Sequence, residues 1–360
     1  MKLKKLIEEK NFLVLLFAVC GFVIANLCTD LYREIVDGMR VGYVSSHFLM
    51  PVYFMLIGIE MRKEMNVGGI LSSRIRIAFP LVMAISGVLF PAIIYVAAAL
   101  ILKVDIINGW AIPTATDIAF ATTVCLIVRG LRENSRKILT AVAIFDDLIA
   151  VLVVAVFYSN TIEIEYLFYI AVLIFIASIS SRYMENLVIL WLLLFGLPLF
   201  WLIQKSGVHN TVSGFLIGIL IPFGKKALDV EKVLQVASTY LILPLFALCN
   251  TGITMSIGDH YDVLGVTFIA LVLGKNIGIS TSGLIMLKRY NIGYKISLDD
   301  ILMIGAFCGI GFTMGMFIAT LSFEDVNIQD SAKAGVILGS VISAIICATV
   351  SKLRKAKLSF

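Results

Sequence analysis

Four ionisable side chains, Asp117, Asp146, Asp147 and Lys275, lie inside long apolar runs of this sequence. A charge at the centre of a bilayer costs at least about 2.5–3.5 kcal/mol, so residues retained there mark a functional site. Three carboxylates against one ammonium leave an excess of negative charge, and a proton or a metal cation must supply the balance. Carboxylate oxygens are hard ligands that suit small hard cations. Desolvation and a like-charged neighbour also favour the protonated carboxyl. An Asp-Asp pair in a dry environment can therefore hold a cation when ionised and protons when the cation is gone. Competition of this kind for one site is all that antiport requires. The alternative, a buried ion-pair network that only fixes helix packing, leaves the unequal charge unexplained. Adjacent residues on a helix point about 100° apart, so Asp146 and Asp147 are expected to do different work, one facing the ion and the other reaching a partner such as Lys275.

The elements that position these groups follow from composition. The chain has 360 residues, 60% hydrophobic and 15% charged, with a mean hydropathy of +1.01. Soluble domains carry roughly 45–50% apolar and about 25% charged residues, so this balance excludes disorder, a nucleic-acid partner and an ordinary water-exposed surface. Apolar runs between short charged loops predict twelve transmembrane helices at 11–28, 47–61, 78–102, 110–128, 138–158, 166–180, 187–203, 208–222, 236–254, 263–286, 301–322 and 334–351. With no linker or soluble insertion, residues 1–360 read as one membrane transporter domain. The opening MKLKKLIEEK and NFLVLLFAVC read as a retained first helix rather than a cleaved signal, since no small-residue cleavage site follows. With both termini cytoplasmic, twenty-three Lys and Arg fall on the inner side and five on the outer, and Lys275 is the one cation left inside a span. Retention of cations on the cytoplasmic side favours this orientation. The six cysteines sit in or at the ends of apolar runs without a CxxC pair and read as packing residues.

At about 1.5 Å per residue, Asp117 lies about 12 Å from the outer side. By the same rise Asp146 and Asp147 lie about 14–15 Å, and Lys275 about 18 Å, from the inner side. In a core of about 30 Å all four meet near the midplane. The segment GWAIPTATDIAF around Asp117 contains Pro113, which removes a donor and obstructs the preceding turn. Thr114 and Thr116 add hydroxyls, and the segment reads as a broken helix lining a polar cavity. A second break is expected at CGIGFTMG, where Gly309, Gly311 and Gly315 interrupt the eleventh span. A pair of interrupted helices in the two halves points to an inverted-repeat transporter. An intramembrane aspartyl protease would need a GxGD pattern that is missing here, and a channel would need rings of charges or carbonyls. The remaining alternative is a sodium-coupled solute symporter of similar fold, which would need a larger polar cavity.

The segments GWAIPTATDIAFA (109–121), AIFDDLIAV (143–151), SGVHNTVSGFLIGILIP (206–222), YLILPLFALCNTG (240–252), LGKNIGIS (273–280) and CGIGFTMGMFIA (308–319) resemble, in order, those of the NhaA sodium/proton antiporters. That family is itself a standing example of transporters built from inverted repeats and broken helices. The resemblance implies an all-α polytopic protein of the bacterial inner membrane, with spans four and eleven discontinuous and crossing near the midplane. It implies electrogenic exchange of two protons for one Na⁺ or Li⁺, serving pH and sodium homeostasis, with no cofactor and a homodimeric partner. By position, Asp147 looks like the principal Na⁺ ligand and Asp146 a ligand or proton carrier beside it. Thr116 and Asp117 match the pair in span four, where the carboxylate offsets the dipole ends of the broken helices. Lys275 matches a buried lysine that pairs with Asp146 and releases it when sodium binds. Glu60, Glu64 and Glu231 match acidic residues of pH sensing, and His209 matches a histidine of the pH response.

This sequence departs from the resemblance at the periphery. Lys232 and Gln235 stand where well-known members carry histidines, His47 stands where an acidic residue is common, and Lys63 replaces an arginine. Segment 29–46 is short for the extracellular hairpin that contributes to dimer contact. With the transport centre intact and its periphery altered, antiport is expected to survive with a shifted or broadened pH profile. A pH titration of exchange in everted vesicles checks this, and a steep alkaline activation would contradict it.

Overall fold

A computed structural model describes residues 2–65, 74–128, 130–159, 162–253, 260–289 and 296–358. Its elements are helices joined by short connections: α1 (Lys2–Leu27), α2 (Val41–Met65), α3 (Arg74–Leu102), α4 (Ile118–Val128), α5 (Glu133–Phe157), α6 (Ile164–Ser180), α7 (Val188–Lys205), α8 (Thr211–Leu220), α9 (Lys225–Asn250), α10 (Tyr261–Arg289), α11 (Leu298–Cys308), α12 (Phe312–Ser322) and α13 (Val326–Leu358). Among the described residues, eight helical stretches are long and apolar enough to cross a membrane, and nine if α11 and α12 count as one span bent by 46°. Leu13–Leu27, α6 and α8 are shorter apolar helices. Large apolar side chains such as Ile93, Ile101, Phe168 and Phe175 point outward, as they do when the surrounding solvent is hydrocarbon. The protein is therefore an all-helical membrane protein.

Helix bounds differ from the sequence expectation mainly at the ends, where charged turns extend an apolar run. The stretch expected at 236–254 begins at Lys225, and that expected at 334–351 spans Val326–Leu358. A second difference lies in the winding. Ser45–Leu49, Leu192–Gly196 and Ser238–Ile242 are π-helical turns. Each is followed, one residue later, by a proline: Pro51, Pro198 and Pro244. A proline lacks the N–H and its ring collides with the carbonyl four residues earlier. Those carbonyls belong to His47, Leu194 and Tyr240, the central residue of each widened turn. The wider turn relieves the collision without ending the helix. Two further π turns, Glu34–Gly38 and Ala270–Gly274, have no such proline, and the second leads directly into Lys275.

Close helix approach rests on missing side chains. A Cβ on Gly214 of α8 would lie 1.8 Å from the Pro51 carbonyl oxygen, and one on Gly218 would lie 2.2 Å from that of Met55. From the other side, a Cβ on Gly58 of α2 would lie 2.5 Å from the Phe215 oxygen. In lipid, where apolar surface gives no drive for helices to associate, such backbone proximity supplies the packing. Gly274 and Gly278 of α10 meet Pro91 and Ser86 of α3 in the same way. A peripheral apolar cluster centred on Trp191 joins α6, α7 and α8 to α2, while the larger cluster, drawn from most other helices, surrounds the buried charges.

Gly214→Ala is expected to destabilise the protein by about 1–3 kcal/mol through overpacking, measured as a drop in melting temperature in detergent. Gly265→Ala, where an added Cβ meets nothing within 4 Å, is expected to leave it unchanged.

Candidate functional site

Residues Ile107–Thr114 form a 3-10 helix containing Pro113, Ala115 is extended, and α4 starts only at Ile118. Opposite it, α11 ends at Cys308 and α12 begins at Phe312, with Gly309–Gly311 between them. The two irregular segments touch. The Asp117 N–H donates to the Ile310 carbonyl at 2.7 Å, and a Cβ on Gly311 would lie 2.8 Å from the Ala115 oxygen. Only a glycine permits this approach.

Asp117 closes the contact chemically. Its Oδ1 accepts the Phe120 N–H at 3.1 Å, which caps α4. Its Oδ2 accepts the Thr313 N–H at 3.0 Å, which caps α12, and also the Thr313 hydroxyl. One carboxylate thus satisfies the first turns of two helices and faces the positive ends of both dipoles. Both of its oxygens are satisfied by this arrangement.

The Asp146 and Asp147 side chains on α5 are each 1% exposed, and Lys275 and Thr116 are 0% exposed. The Lys275 ammonium makes a salt bridge with Asp146 Oδ2. The same oxygen lies 2.6 Å from the Thr116 hydroxyl, which is also 2.8 Å from the Cys308 carbonyl at the end of α11. A hydroxyl has one proton, so Thr116 can serve one of these acceptors at a time. Asp146 Oδ1 and both oxygens of Asp147 are buried and have no hydrogen-bond partner among the described residues. The 100° offset along α5 thus divides the pair as expected: Asp146 turns to Lys275 and Asp147 does not. Asp117, Asp146 and Glu60 act on Asp147 as like charges and Lys275 as an opposing one. A buried carboxylate without donors is unstable as a bare anion, and a proton or a cation satisfies it.

Of the four peripheral residues, the structure groups three with one another. Glu231 is 4% exposed and accepts from Lys63 at 2.9 Å. Gln235 Nε2 reaches both Glu60, at 3.2 Å, and Glu231, at 3.3 Å. Glu64 acts electrostatically on Lys63 and so joins the same cluster. Lys232 instead faces Asp229 on the exposed side of α9. His209 lies elsewhere. Its Nδ1 is 2.9 Å from the Thr211 hydroxyl at the start of α8, and its ring packs edge-on against Phe317.

Some participants were not singled out by sequence reasoning. Thr313 partners Asp117 although the four residues TMGM around it carry no charge. Tyr53, buried on α2, is electrostatically coupled to Asp147, Asp117 and Glu60. Its spacing of seven residues from Glu60, two turns on one helix face, was the available signal. Asp300, fully buried at the start of α11, takes Arg132 at 2.6 Å and Arg354 at 2.5 Å. Its capping box with Ser297 was legible in the sequence SLDD, but its two arginines come from distant segments.

The model of the Na⁺/H⁺ antiporter 1 family matches residues 6–350. The chain is 34% identical over 371 residues to Na(+)/H(+) antiporter NhaA of Legionella pneumophila strain Paris, covering 96% of each chain. It is 37% identical over 314 residues to Na(+)/H(+) antiporter NhaA of Escherichia coli strain K12, covering 83% of this chain and 80% of that one. Among solved structures, the sodium proton antiporter MjNhaP1 from Methanocaldococcus jannaschii at pH 8 superposes with a TM-score of 0.58, at 15% identity, over 98% of this chain and 99% of that one. The last likeness concerns the fold alone.

Because Asp117 holds two helix starts, Asp117→Ala is expected to lower stability by about 2–4 kcal/mol, two caps of about 1–2 kcal/mol each. Thr313→Val, which removes one hydroxyl donor, is expected to cost less. Thermal melting of the purified variants ranks them, and equal melting temperatures would contradict the double-cap reading.

Proposed function

The chain belongs to the NhaA family of Na⁺/H⁺ antiporters, and on that premise we propose that Asp147 is the principal ligand of the transported Na⁺, with Asp146 and Lys275 as its exchangeable ion pair. The protein is a multi-pass membrane transporter, not an enzyme, and its activity is exchange of Na⁺ for H⁺. The observation that carries the site assignment is the pair of Asp147 oxygens, buried and without donors. A carboxylate so placed holds either a proton or a cation, and the exclusion of one by the other is the coupling.

The cycle follows from charge. With Na⁺ absent, Asp147 is protonated and Asp146 is bound to Lys275 and Thr116. An entering Na⁺ displaces the proton from Asp147 and draws Asp146 off the ammonium, because two positive charges cannot share one carboxylate in a dry site. The Thr116 hydroxyl then donates its hydrogen bond to the Cys308 carbonyl, linking ion binding to the end of α11. Asp147 gives up one proton for each Na⁺ bound; the family resemblance supports a second, which makes the exchange electrogenic. Asp117 stays fixed, offsetting the helix ends on which the ion ligands are mounted. The Glu60, Glu64 and Glu231 cluster, joined through Lys63 and Gln235, senses pH, and His209 contributes to the response from the start of α8.

The same reading extends to architecture. Nine long spans and three shorter apolar helices support twelve crossings, with two discontinuous helices near the midplane, inverted repeats and one domain over 1–360. The asymmetry of Lys and Arg supports cytoplasmic termini. Relatives named from bacteria support the inner membrane as its location, and the family resemblance supports a homodimer.

Reconstituted in liposomes, the purified protein is expected to turn an imposed Na⁺ gradient into a pH change. Asp146→Asn and Asp147→Asn are each expected to abolish it. Full exchange retained by Asp147→Asn would overturn its assignment as cation ligand.

A further inference from the structure

Two serines of α13 face the Gly309–Gly311 segment from the side opposite Asp117. Ser340 Oγ gives its proton to the Val336 carbonyl at 2.7 Å, within its own helix. Its lone pair then accepts the Gly311 N–H at 3.2 Å. Three residues further along, the buried Ser343 hydroxyl has no hydrogen-bond partner among the described residues. It lies 2.6 Å from where a Cβ on Gly309 would be. The segment between α11 and α12 is therefore gripped on one face by Asp117, through the Ile310 carbonyl, and on the other by Ser340. A buried hydroxyl left without a partner costs free energy, and use in another state is a reason for keeping one.

We propose that Ser340 and Ser343 form a two-position track on which the break between α11 and α12 moves during transport, both serines acting as positioning residues. In the conformation seen here Ser340 holds the Gly311 amide and Ser343 is idle. When α11 shifts on ion exchange, the Ser340 bond opens and the Ser343 hydroxyl, beside Gly309 in the conformation seen here, accepts the Gly311 N–H in its place. Serines at i and i+3 are about 4.5 Å apart along the axis, so a shift of that size hands the Gly311 amide from one hydroxyl to the other without leaving it bare in an apolar surrounding. Neither serine contacts Asp146, Asp147 or Lys275, so the track governs the rate of the conformational step rather than the affinity for Na⁺.

This inference rests on the antiport reading, and the experiment separates the two. Turnover and apparent KM for Na⁺ are measured in proteoliposomes for the wild type, Ser340→Ala, Ser343→Ala, the double variant and Ser340→Thr, with melting temperatures for each. Loss of one such hydrogen bond changes a rate about five-fold. Each alanine variant is expected to lose about that much turnover, with KM for Na⁺ within about two-fold of the wild type. The double variant is expected to be no slower than the slower single variant, because both serve one step, and Ser340→Thr is expected to recover turnover. Unchanged turnover in both alanine variants overturns the track. So does a rise in KM without a fall in turnover, or a loss that follows melting temperature and is not rescued by Ser340→Thr. A wild type that exchanges no Na⁺ for H⁺ overturns the antiport reading itself, and the track with it.

Discussion

Backbone groups released in the middle of a lipid-embedded protein find no water, and each must be satisfied inside the protein. Everything distinctive in this structure follows from how two helix breaks meet that constraint. The Asp117 amide gives the Ile310 carbonyl its partner, while the Asp117 carboxylate accepts from the starts of α4 and α12. Ser340 covers the Gly311 amide from behind. Breaking two helices in one place lets each repair the other, and the repaired junction is where α5 and α10 can bring charged side chains together.

The charges placed there do not cancel. Asp117 is held by helix ends, Asp146 by Lys275 and Thr116, and Asp147 by no hydrogen-bond donor among the described residues. A fully paired site would be a structural element, because breaking a buried ion pair is costly and nothing would favour it. Here one carboxylate without donors stands beside an ion pair. The Thr116 hydroxyl, shared between Asp146 and the Cys308 carbonyl, connects that pair to the backbone of α11. Away from the junction, Glu60, Glu231, Lys63 and Gln235 are interlinked by hydrogen bonds and an ion pair.

Different parts of this molecule were readable in the sequence to different degrees. The helical membrane class was plain, because an apolar run of span length has few other uses. The buried charges were plain too, since any ionisable residue in such a run is conspicuous. The prolines at 51, 198 and 244 signalled disturbance, but that each would widen the helix into a π turn rather than kink it depends on the packing of neighbouring helices. The π turn before Lys275 had no sequence marker at all, and its Gly274 makes sense only against Pro91 of α3. Thr313, Ser340 and Ser343 are ordinary polar residues in apolar helices, where a hydroxyl commonly bonds back to its own helix.

Residue types and one-dimensional depth by themselves determined which ionisable groups lie buried among the helices, because the cost of burying charge is large and local. They also determined that Asp146 and Asp147 point apart, since that is fixed by helix geometry. The resemblance implied that Lys275 pairs with Asp146 and that Asp117 offsets helix ends. Only the tertiary structure decided the contacts that do this, and that α13 stands behind the break with one hydroxyl engaged and one idle. Those outcomes depend on angstrom-scale contacts between segments as much as 196 residues apart, and a pattern along the chain carries no distance across it.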